Sequence, residues 1–233
     1  MSVKVAALIP AYNEEKGIEA TLSAVKRIKT LDKIVVINDG SVDDTAAIVL
    51  QNPGVSLLSL PRNSGKGAAL NFGWRRTEAD VYLLLDADLG ESAYHAQRLL
   101  TPVLLKEVDM TVACFDSCQV SGPGQMGFGL VRGLAAFGIQ FLTGRRVASP
   151  LSGQRAVTAH VLRSLGGFFP GFGVEIGLTV GVIKKGFQFQ EIALPLKHRA
   201  YGRGVRGIVH RGGQLIDVIE ALWRCWCKGR DWK

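Results

Sequence analysis

The chain has 233 residues, of which 47% are hydrophobic and 21% charged, and it contains only four cysteines. This composition excludes a globally disordered chain and a small scaffold held together by disulfides. The formal charge of +8 is uneven, because residues 1–100 carry a net −1 and residues 101–233 a net +9. Such an excess favours an anionic partner (a phosphate group, a nucleic acid or a membrane surface) over a merely solvated basic face.

The first residues run straight into an apolar segment and lack the pattern of a secretory signal. No stretch approaches 18 uninterrupted apolar residues, so the sequence predicts no membrane-spanning helix. We therefore expect a cytoplasmic protein. A peripheral position at the inner face of the membrane is compatible with the basic charge of its second part.

Short apolar runs alternate with helical patterns along the first half of the chain. Runs rich in Val, Ile and Leu predict buried strands of a parallel sheet at 3–10, 33–38, 55–60 and 81–86. Between the first two runs, Ile18, Leu22 and Val25 recur on one helical face. The alternation predicts an α/β fold with an open, mostly parallel twisted sheet and helices on both faces.

The second half is less regular. It predicts two more strands, at 108–115 and 187–196, and helices at 130–142, 157–165 and 175–185. Neither a repeat nor a linker-like segment interrupts the chain, so we expect a single domain over 1–233.

Polar residues follow three of the predicted strands. Glu14 follows the first strand, Asp39 the second, and Asp86 and Asp88 the fourth. In open α/β sheets, ligands bind outside the carboxyl ends of the strands. Carboxylates two residues apart on an extended chain project to one side and suit Mg²⁺ or Mn²⁺. An acidic turn after a strand is common, but three such strand ends together predict a metal and diphosphate site.

A glycine-rich loop, 63–67, lies between a predicted strand and a predicted helix. Its glycines allow the backbone to approach a ligand, and Lys66 can pair with a phosphate. The spacing is not that of a Walker loop, and no GxGxxG follows the first strand. The sequence therefore argues against a Rossmann dinucleotide site.

Four segments, IPAYNEE (9–15), NDGSVDDT (38–45), NSGKGAAL (63–70) and LLLDADL (83–89), resemble family 2 glycosyltransferases with the GT-A fold. Within that family the chain most resembles dolichyl- or polyprenyl-phosphate mannose and glucose synthases. The resemblance continues through PLSGQRAV (150–157) and HRAYGRG (198–204). It implies an enzyme that moves a hexose from a UDP- or GDP-sugar, with Mg²⁺ or Mn²⁺, to a phosphate-bearing lipid or another acceptor. Inversion at the sugar is the family majority.

The resemblance also implies roles for individual residues. The positions that match nucleotide contacts are Pro10, Ala11, Tyr12, Glu14, Asp39, Lys66, Asp86 and Ala87. Asp86 and Asp88 match the metal site, with Asp88 also in a catalytic role. Glu175 matches an acidic position near the acceptor and is the candidate base, or alternatively a helix N-terminal acid. The candidates for holding an acceptor phosphate are Arg132, Arg155 and Arg199.

The chain departs from these synthases at Gly90, where they usually carry glutamine two residues after the second aspartate. His198 is a candidate substitute as a metal ligand, and a surface histidine in a basic loop is the alternative. We expect the domain to comprise a nucleotide-binding half (1–115), an acceptor half (116–210) and a C-terminal amphipathic helix (211–233).

The C-terminal segment has an apolar stripe with basic residues beside it. The stripe comprises Leu215, Ile216, Val218, Ile219, Leu222, Trp223 and Trp226. A basic amphipathic helix with tryptophan can lie on a membrane surface, but it can equally pack on its own domain or on a twin subunit in a homodimer.

Two other functions are compatible with parts of the sequence. A retaining synthase of the sugar–phosphoglycerate type would use the same donor motifs. A basic nucleic-acid-binding module would use the positive second half, but the acidic strand ends would repel a nucleic acid backbone, so we expect no nucleic acid partner.

Overall fold

The computed structural model describes residues 2–115, 126–169, 173–196 and 218–227, without the side chains of 115 and 126–130. The elements along the described chain are β1 (Val5–Ala11), α1 (Ile18–Val25), β2 (Lys33–Asn38), α2 (Thr45–Leu50), β3 (Val55–Ser59), α3 (Lys66–Trp74), β4 (Val81–Leu84), a 3-10 helix (Gly90–Ala96), α4 (Gln97–Leu104), β5 (Met110–Phe115), α5 (Met126–Thr143), β6 (Arg155–Thr158), α6 (Ala159–Leu165), α7 (Val174–Lys184), β7 (Phe189–Leu194) and α8 (218–227).

The strands form one seven-stranded sheet in the order β3-β2-β1-β4-β6-β5-β7. All neighbouring pairs are parallel except those of β6, which runs antiparallel to both β4 and β5. The predicted α/β fold with a mostly parallel sheet is therefore confirmed. Among the described residues, no helix has the length and hydrophobicity needed to cross a bilayer.

The sheet separates two hydrophobic cores, and successive strand residues contribute to them alternately. In β1, Val5, Ala7 and Ile9 face the core built with α1 and α4. Ala6 and Leu8 face the other core, built with α3, α5, α6 and α7. This alternation follows from the two-residue period of a strand, and burial on both sides explains the continuous apolar runs in the sequence.

The prediction of a helix over 157–165 is wrong at its start. Arg155–Thr158 forms β6, which pairs with both β4 and β5, and only the following residues form α6. The Thr158 side chain ends the strand and caps the helix by accepting a hydrogen bond from the Val161 N–H at 3.3 Å. Cross-strand pairing on both sides therefore overrides the helical pattern of these residues.

Candidate active site

The carboxyl ends of β1, β2 and β4 meet at one edge of the sheet, as parallel strands require. Because β6 is antiparallel, its beginning lies at this same edge: Arg155 pairs with Leu84, the last residue of β4. Gln154 also accepts a hydrogen bond through its carbonyl oxygen from the Ala113 N–H, at 2.9 Å. Residues just before β6 are thus brought beside residues just after β4, although about 70 positions separate them in the sequence.

Lys66 connects two carboxylates at this edge. Its Nζ lies 2.6 Å from Asp86 Oδ1 and 2.7 Å from Glu175 Oε1. Burial lowers the pKa of Lys66, but the charges and hydrogen bonds of the two carboxylates outweigh it, so that the pKa lies above its ordinary value. Lys66 begins α3 and Glu175 lies in the first turn of α7, so this ammonium group ties two helix N-termini to the end of β4.

The second oxygen of Asp86 is also held. Gln154 Nε2 donates to Asp86 Oδ2 at 2.5 Å, and Ser152 Oγ donates to Gln154 Oε1 at 3.2 Å. Gly153 has no side chain to separate these groups: a Cβ there would lie 2.5 Å from Lys66 Nζ and 2.8 Å from each Asp86 oxygen. The orientation of the Asp86 carboxylate is therefore fixed from two sides.

The glycine-rich loop before α3 is anchored on the end of β2. The buried carboxylate of Asp39 accepts hydrogen bonds from the backbone N–H groups of Ser64 and Gly65, each at 2.8 Å. Gly40 adopts a φ of +70°, and a Cβ there would lie 2.5 Å from the backbone of Arg62. The turn after β2 and the loop are thus in direct contact, which sets the start of α3 and the position of Lys66.

The turn after β1 forms the adjoining rim of the site. Asn13 has a φ of +55°; its N–H donates to Ser41 Oγ at 3.0 Å, and its Oδ1 accepts from the Val42 N–H at 2.9 Å. The Glu14 N–H donates to Thr45 Oγ1 at 2.8 Å. These contacts join the turns after β1 and β2, and they leave Tyr12 with 44% of its surface exposed at the rim.

The turn Asp86-Ala87-Asp88 is tied to α1. Thr21 Oγ1 donates to the carbonyl oxygen of Ala87 at 2.7 Å and accepts from the Gly90 N–H at 2.8 Å. A Cβ on Gly17, which precedes α1, would lie 3.5 Å from the Cα of Asp88. Ala87 is buried, whereas Asp86 and Asp88 are only partly buried, so the backbone of the turn is fixed and its carboxylates reach the site.

Asp86 and Asp88 are hard oxygen donors of the kind that Mg²⁺ and Mn²⁺ prefer. The Asp86 carboxylate already binds a cationic group, the Lys66 ammonium. Within the described part of the chain, no group of three or more His, Cys, Asp or Glu residues could hold a metal ion. A metal at these two aspartates would therefore take further ligands from a substrate, as diphosphate oxygens can provide, or from other parts of the chain.

Arg155 does not have the position expected of a phosphate ligand. The side chain is 1% exposed; its Nε donates to the Ser152 carbonyl oxygen and one Nη to Thr179 Oγ1, both at 2.8 Å. Burial lowers the pKa of this guanidinium to about 10, and nearby carboxylates offset part of the effect. Arg155 thus braces the segment that carries Gln154 against α7, rather than facing a ligand.

The other predicted site residues fall into two groups. Arg132 is exposed on α5, whereas His198 and Arg199 lie outside the described residues. Sequence reasoning missed Gln154 and Gly153, although both stand in the segment 150–157 that carried part of the resemblance. The signal that could have found them is their position in that segment, directly before the candidate Arg155.

Comparison with known proteins agrees with this geometry. A family model described as glycosyl transferase family 2 matches residues 6–139, more than half of the chain. A dolichyl-phosphate beta-glucosyltransferase, ALG5A, of Trichomonas vaginalis is 40% identical over 100 residues, which cover 37% of this chain and 31% of the relative. The glucosyl-3-phosphoglycerate synthase of Mycobacterium tuberculosis is 31% identical over 197 residues, which cover 76% of this chain.

The chain spans 60% of the length of that synthase, and less of the Trichomonas relative. Crystal structures of the mycobacterial synthase have the same fold. The complex with Mg²⁺ and uridine diphosphate has a TM-score of 0.80 and 26% identity over 96% of this chain and 79% of the other. The complex with Mn²⁺, uridine diphosphate and glucosyl-3-phosphoglycerate has a TM-score of 0.79 and 25% identity over 96% and 80%. The chain therefore has a GT-A fold and belongs to glycosyl transferase family 2.

Proposed function

We propose that this chain is a metal-dependent hexosyltransferase. It moves a sugar from UDP-sugar to a phosphate-bearing acceptor, of which a polyprenyl phosphate is the first candidate, with inversion at the sugar. The observation that carries the proposal is the position of Lys66 between Asp86, on the donor side, and Glu175, on the acceptor side. A cation fixed there can hold the charge of a departing diphosphate without reorganising during the reaction.

The donor occupies the edge built from the turns after β1, β2 and β4. Pro10, Ala11, Tyr12, Glu14 and Asp39 hold its base and ribose, and Lys66, Asp86 and Ala87 border its diphosphate. The exposed ring of Tyr12 supplies a surface for the base. Uridine is favoured over guanosine because the similar mycobacterial synthase was crystallised with uridine diphosphate.

Asp86 and Asp88 would hold a Mg²⁺ or Mn²⁺ ion, with His198 as a further candidate ligand. Such an ion supplies positive charge to the leaving nucleoside diphosphate. The crystal structures of the mycobacterial synthase with either ion support this assignment. Gln154 and Lys66 orient Asp86 for this role through the contacts at 2.5 and 2.6 Å.

The acceptor approaches from the side of α7. A phosphate acceptor is already an anion and needs cations rather than a strong base, which Arg199 and Arg132 supply. A hydroxyl acceptor would need a general base, and Glu175, whose Oε1 lies 2.7 Å from Lys66 Nζ, is our candidate for that role. The similarity to a dolichyl-phosphate beta-glucosyltransferase of Trichomonas vaginalis supports a lipid phosphate as the acceptor.

A second candidate is a retaining transfer to a small phosphorylated acid. Its support is the coverage of 96% of this chain by structures of the glucosyl-3-phosphoglycerate synthase, including a complex with UDP-glucose and phosphoglyceric acid. The two candidates share the donor site and differ in the acceptor and in the configuration of the product.

Thermal unfolding tests the donor site. The midpoint is measured with UDP, GDP and their sugar conjugates, each with and without Mn²⁺, on the natural sequence and on Asp88→Ala. A ligand at about 100 times its Kd adds about 2.7 kcal/mol to the free energy of unfolding. We expect a Mn²⁺-dependent rise with UDP that Asp88→Ala abolishes. If no nucleotide raises the midpoint, the donor site is wrongly assigned.

A further inference from the structure

Exposed aromatic side chains from two helices, α5 and α8, form one surface. Phe137 and Phe141 on α5 are 67% and 63% exposed, and Trp223 and Trp226 on α8 are 67% and 51% exposed. Ile219, 53% exposed, is one turn before Trp223. We call these five residues the aromatic face.

The two helices that carry the aromatic face are firmly packed together. Val218, Ala221 and Cys225 bury the opposite side of α8, and a Cβ on Gly138 of α5 would lie 2.4 Å from the Leu222 side chain. The ring of Phe141 stacks on Trp226, with centroids 5.5 Å apart and planes inclined by 16°. The exposed rings therefore belong to one fixed surface that joins α5 and α8.

The buried side of α8 reaches the candidate active site. A Cβ on Gly173 would lie 2.5 Å from the Cβ of Ala221, and Gly173 is the N-cap of α7, two residues before Glu175. A surface bound to the outer side of α8 would thus lie one helix away from the acceptor end of the site.

The net charge of the segments around α5 and α8 indicates which kind of partner the aromatic face binds. The described residues of these segments, 126–146 and 218–227, include four basic residues and one acidic residue, a net charge of +3. Arg132 is exposed on α5, and Arg224, which forms an ion pair with Glu220 at 2.5 Å, is exposed on α8. Two copies that met through the aromatic face would both contribute segments of net positive charge, which disfavours self-association. An anionic surface attracts them, and aromatic rings beside basic groups are suited to the headgroup region of a bilayer.

We propose that the aromatic face docks the protein on an anionic phospholipid membrane and so presents the acceptor end of the site to membrane-held phosphates. The proposed function enters this inference only where the bound membrane supplies the acceptor of the sugar. The docking itself needs no sugar transfer.

Vesicle binding by the full chain tests the proposal. Co-sedimentation is measured with phosphatidylcholine vesicles that contain or lack phosphatidylglycerol, at low and high salt. We expect binding that requires phosphatidylglycerol and weakens with salt. The double variant Trp223→Ala/Trp226→Ala should lower the partition coefficient by about tenfold or more, and Arg132→Gln by about fivefold.

Matched controls are Leu105→Ala, an apolar residue 64% exposed on another part of the surface, and Arg98→Gln, exposed on α4. Both should bind vesicles like the natural sequence. Sedimentation velocity without lipid tests the second copy as partner: self-association that Trp226→Ala abolishes would overturn the proposal. Absence of vesicle binding, binding indifferent to phosphatidylglycerol, or equal loss in the controls would also overturn it.

The donor titration separates this proposal from the proposed function. The double tryptophan variant should keep its response to Mn²⁺ and UDP, because its altered side chains lie outside the donor site, and its unfolding midpoint should fall only by the loss of the Phe141–Trp226 stack. Vesicle binding without a nucleotide response would refute the donor site and leave the docking surface intact. A nucleotide response without vesicle binding would refute the docking surface and leave the donor site intact.

Discussion

Gly153→Ala tests whether the contacts of Lys66 and Asp86 form the diphosphate site. The new Cβ would lie 2.5 Å from Lys66 Nζ and 2.8 Å from both oxygens of Asp86. An ordinary contact of 3.4 Å requires these atoms to retreat by about 0.6 to 0.9 Å. They are the ends of flexible side chains, so we expect the fold to survive with a loss of less than about 1 kcal/mol.

Misplacement of a reacting or binding group by about 1 Å can cost about 100-fold in rate. We therefore expect Gly153→Ala to lower kcat/KM by about that factor and to weaken Mn²⁺-dependent UDP binding about tenfold, measured by calorimetric titration. The matched control is Gly133→Ala on α5, where a Cβ meets no heavy atom within 4 Å. It should keep the affinity and gain about 0.5–1 kcal/mol of stability. Equal UDP affinity in the two variants would refute the reasoning.

Three further substitutions test the contacts around Lys66 and Asp86. Gln154→Leu removes the buried amide that donates to Asp86 and accepts from Ser152, so it should weaken Mn²⁺-dependent UDP binding about tenfold and also lower the unfolding midpoint. Asp39→Asn turns one of two acceptors of backbone N–H groups into a donor and should cost about 2 kcal/mol in urea unfolding. Lys66→Met leaves the buried carboxylate of Glu175 and the partly buried carboxylate of Asp86 without this cation and should lower the thermal midpoint. Because the pKa of Lys66 is raised on folding, this difference should stay constant between about pH 6 and pH 9 and shrink only above the ordinary value of 10.5.

Each of these expectations has a contradicting result. UDP affinity unchanged in Gln154→Leu would mean that the amide does not orient Asp86. Asp39→Asn with unchanged urea unfolding would mean that the loop of Ser64 and Gly65 is held by other contacts. A Lys66→Met midpoint above that of the natural sequence would mean that desolvation of the ammonium outweighs its two ion pairs.

The sequence predicts the parallel part of the sheet well because its strands place apolar side chains against the two cores on either side of the sheet. The run 33–38 coincides with β2, and the runs at 55–60 and 187–196 each contain their strand. β6 is different, because its four residues lead directly into α6 and share its apolar pattern. Only pairing with β4 and β5 makes them a strand, and that pairing depends on residues far away in the chain.

The same distinction applies to the candidate site. Asp39 and Asp86 follow strands, so the sequence could place them at one edge, and the structure also brings Lys66 and Glu175 there. Gln154 reaches this edge only because β6 runs antiparallel to β4. Arg155 is the opposite case, because it was a predicted site residue but its side chain points inward and donates hydrogen bonds to Ser152 and Thr179. A motif locates a residue along the chain. Whether its side chain points into the site or into the protein interior depends on the packing around it.

The central claim is tested most directly by sugar transfer itself. The full chain is incubated with UDP-glucose and either a polyprenyl phosphate in phosphatidylglycerol vesicles or 3-phosphoglycerate, after removal of metal by EDTA and with Mn²⁺ restored. We expect a glucosylated phosphate product that forms only with Mn²⁺, that is lost in Asp88→Ala, and that forms on the lipid acceptor. Product on 3-phosphoglycerate alone would select the second candidate, and transfer without metal, or none to either acceptor, would contradict the account.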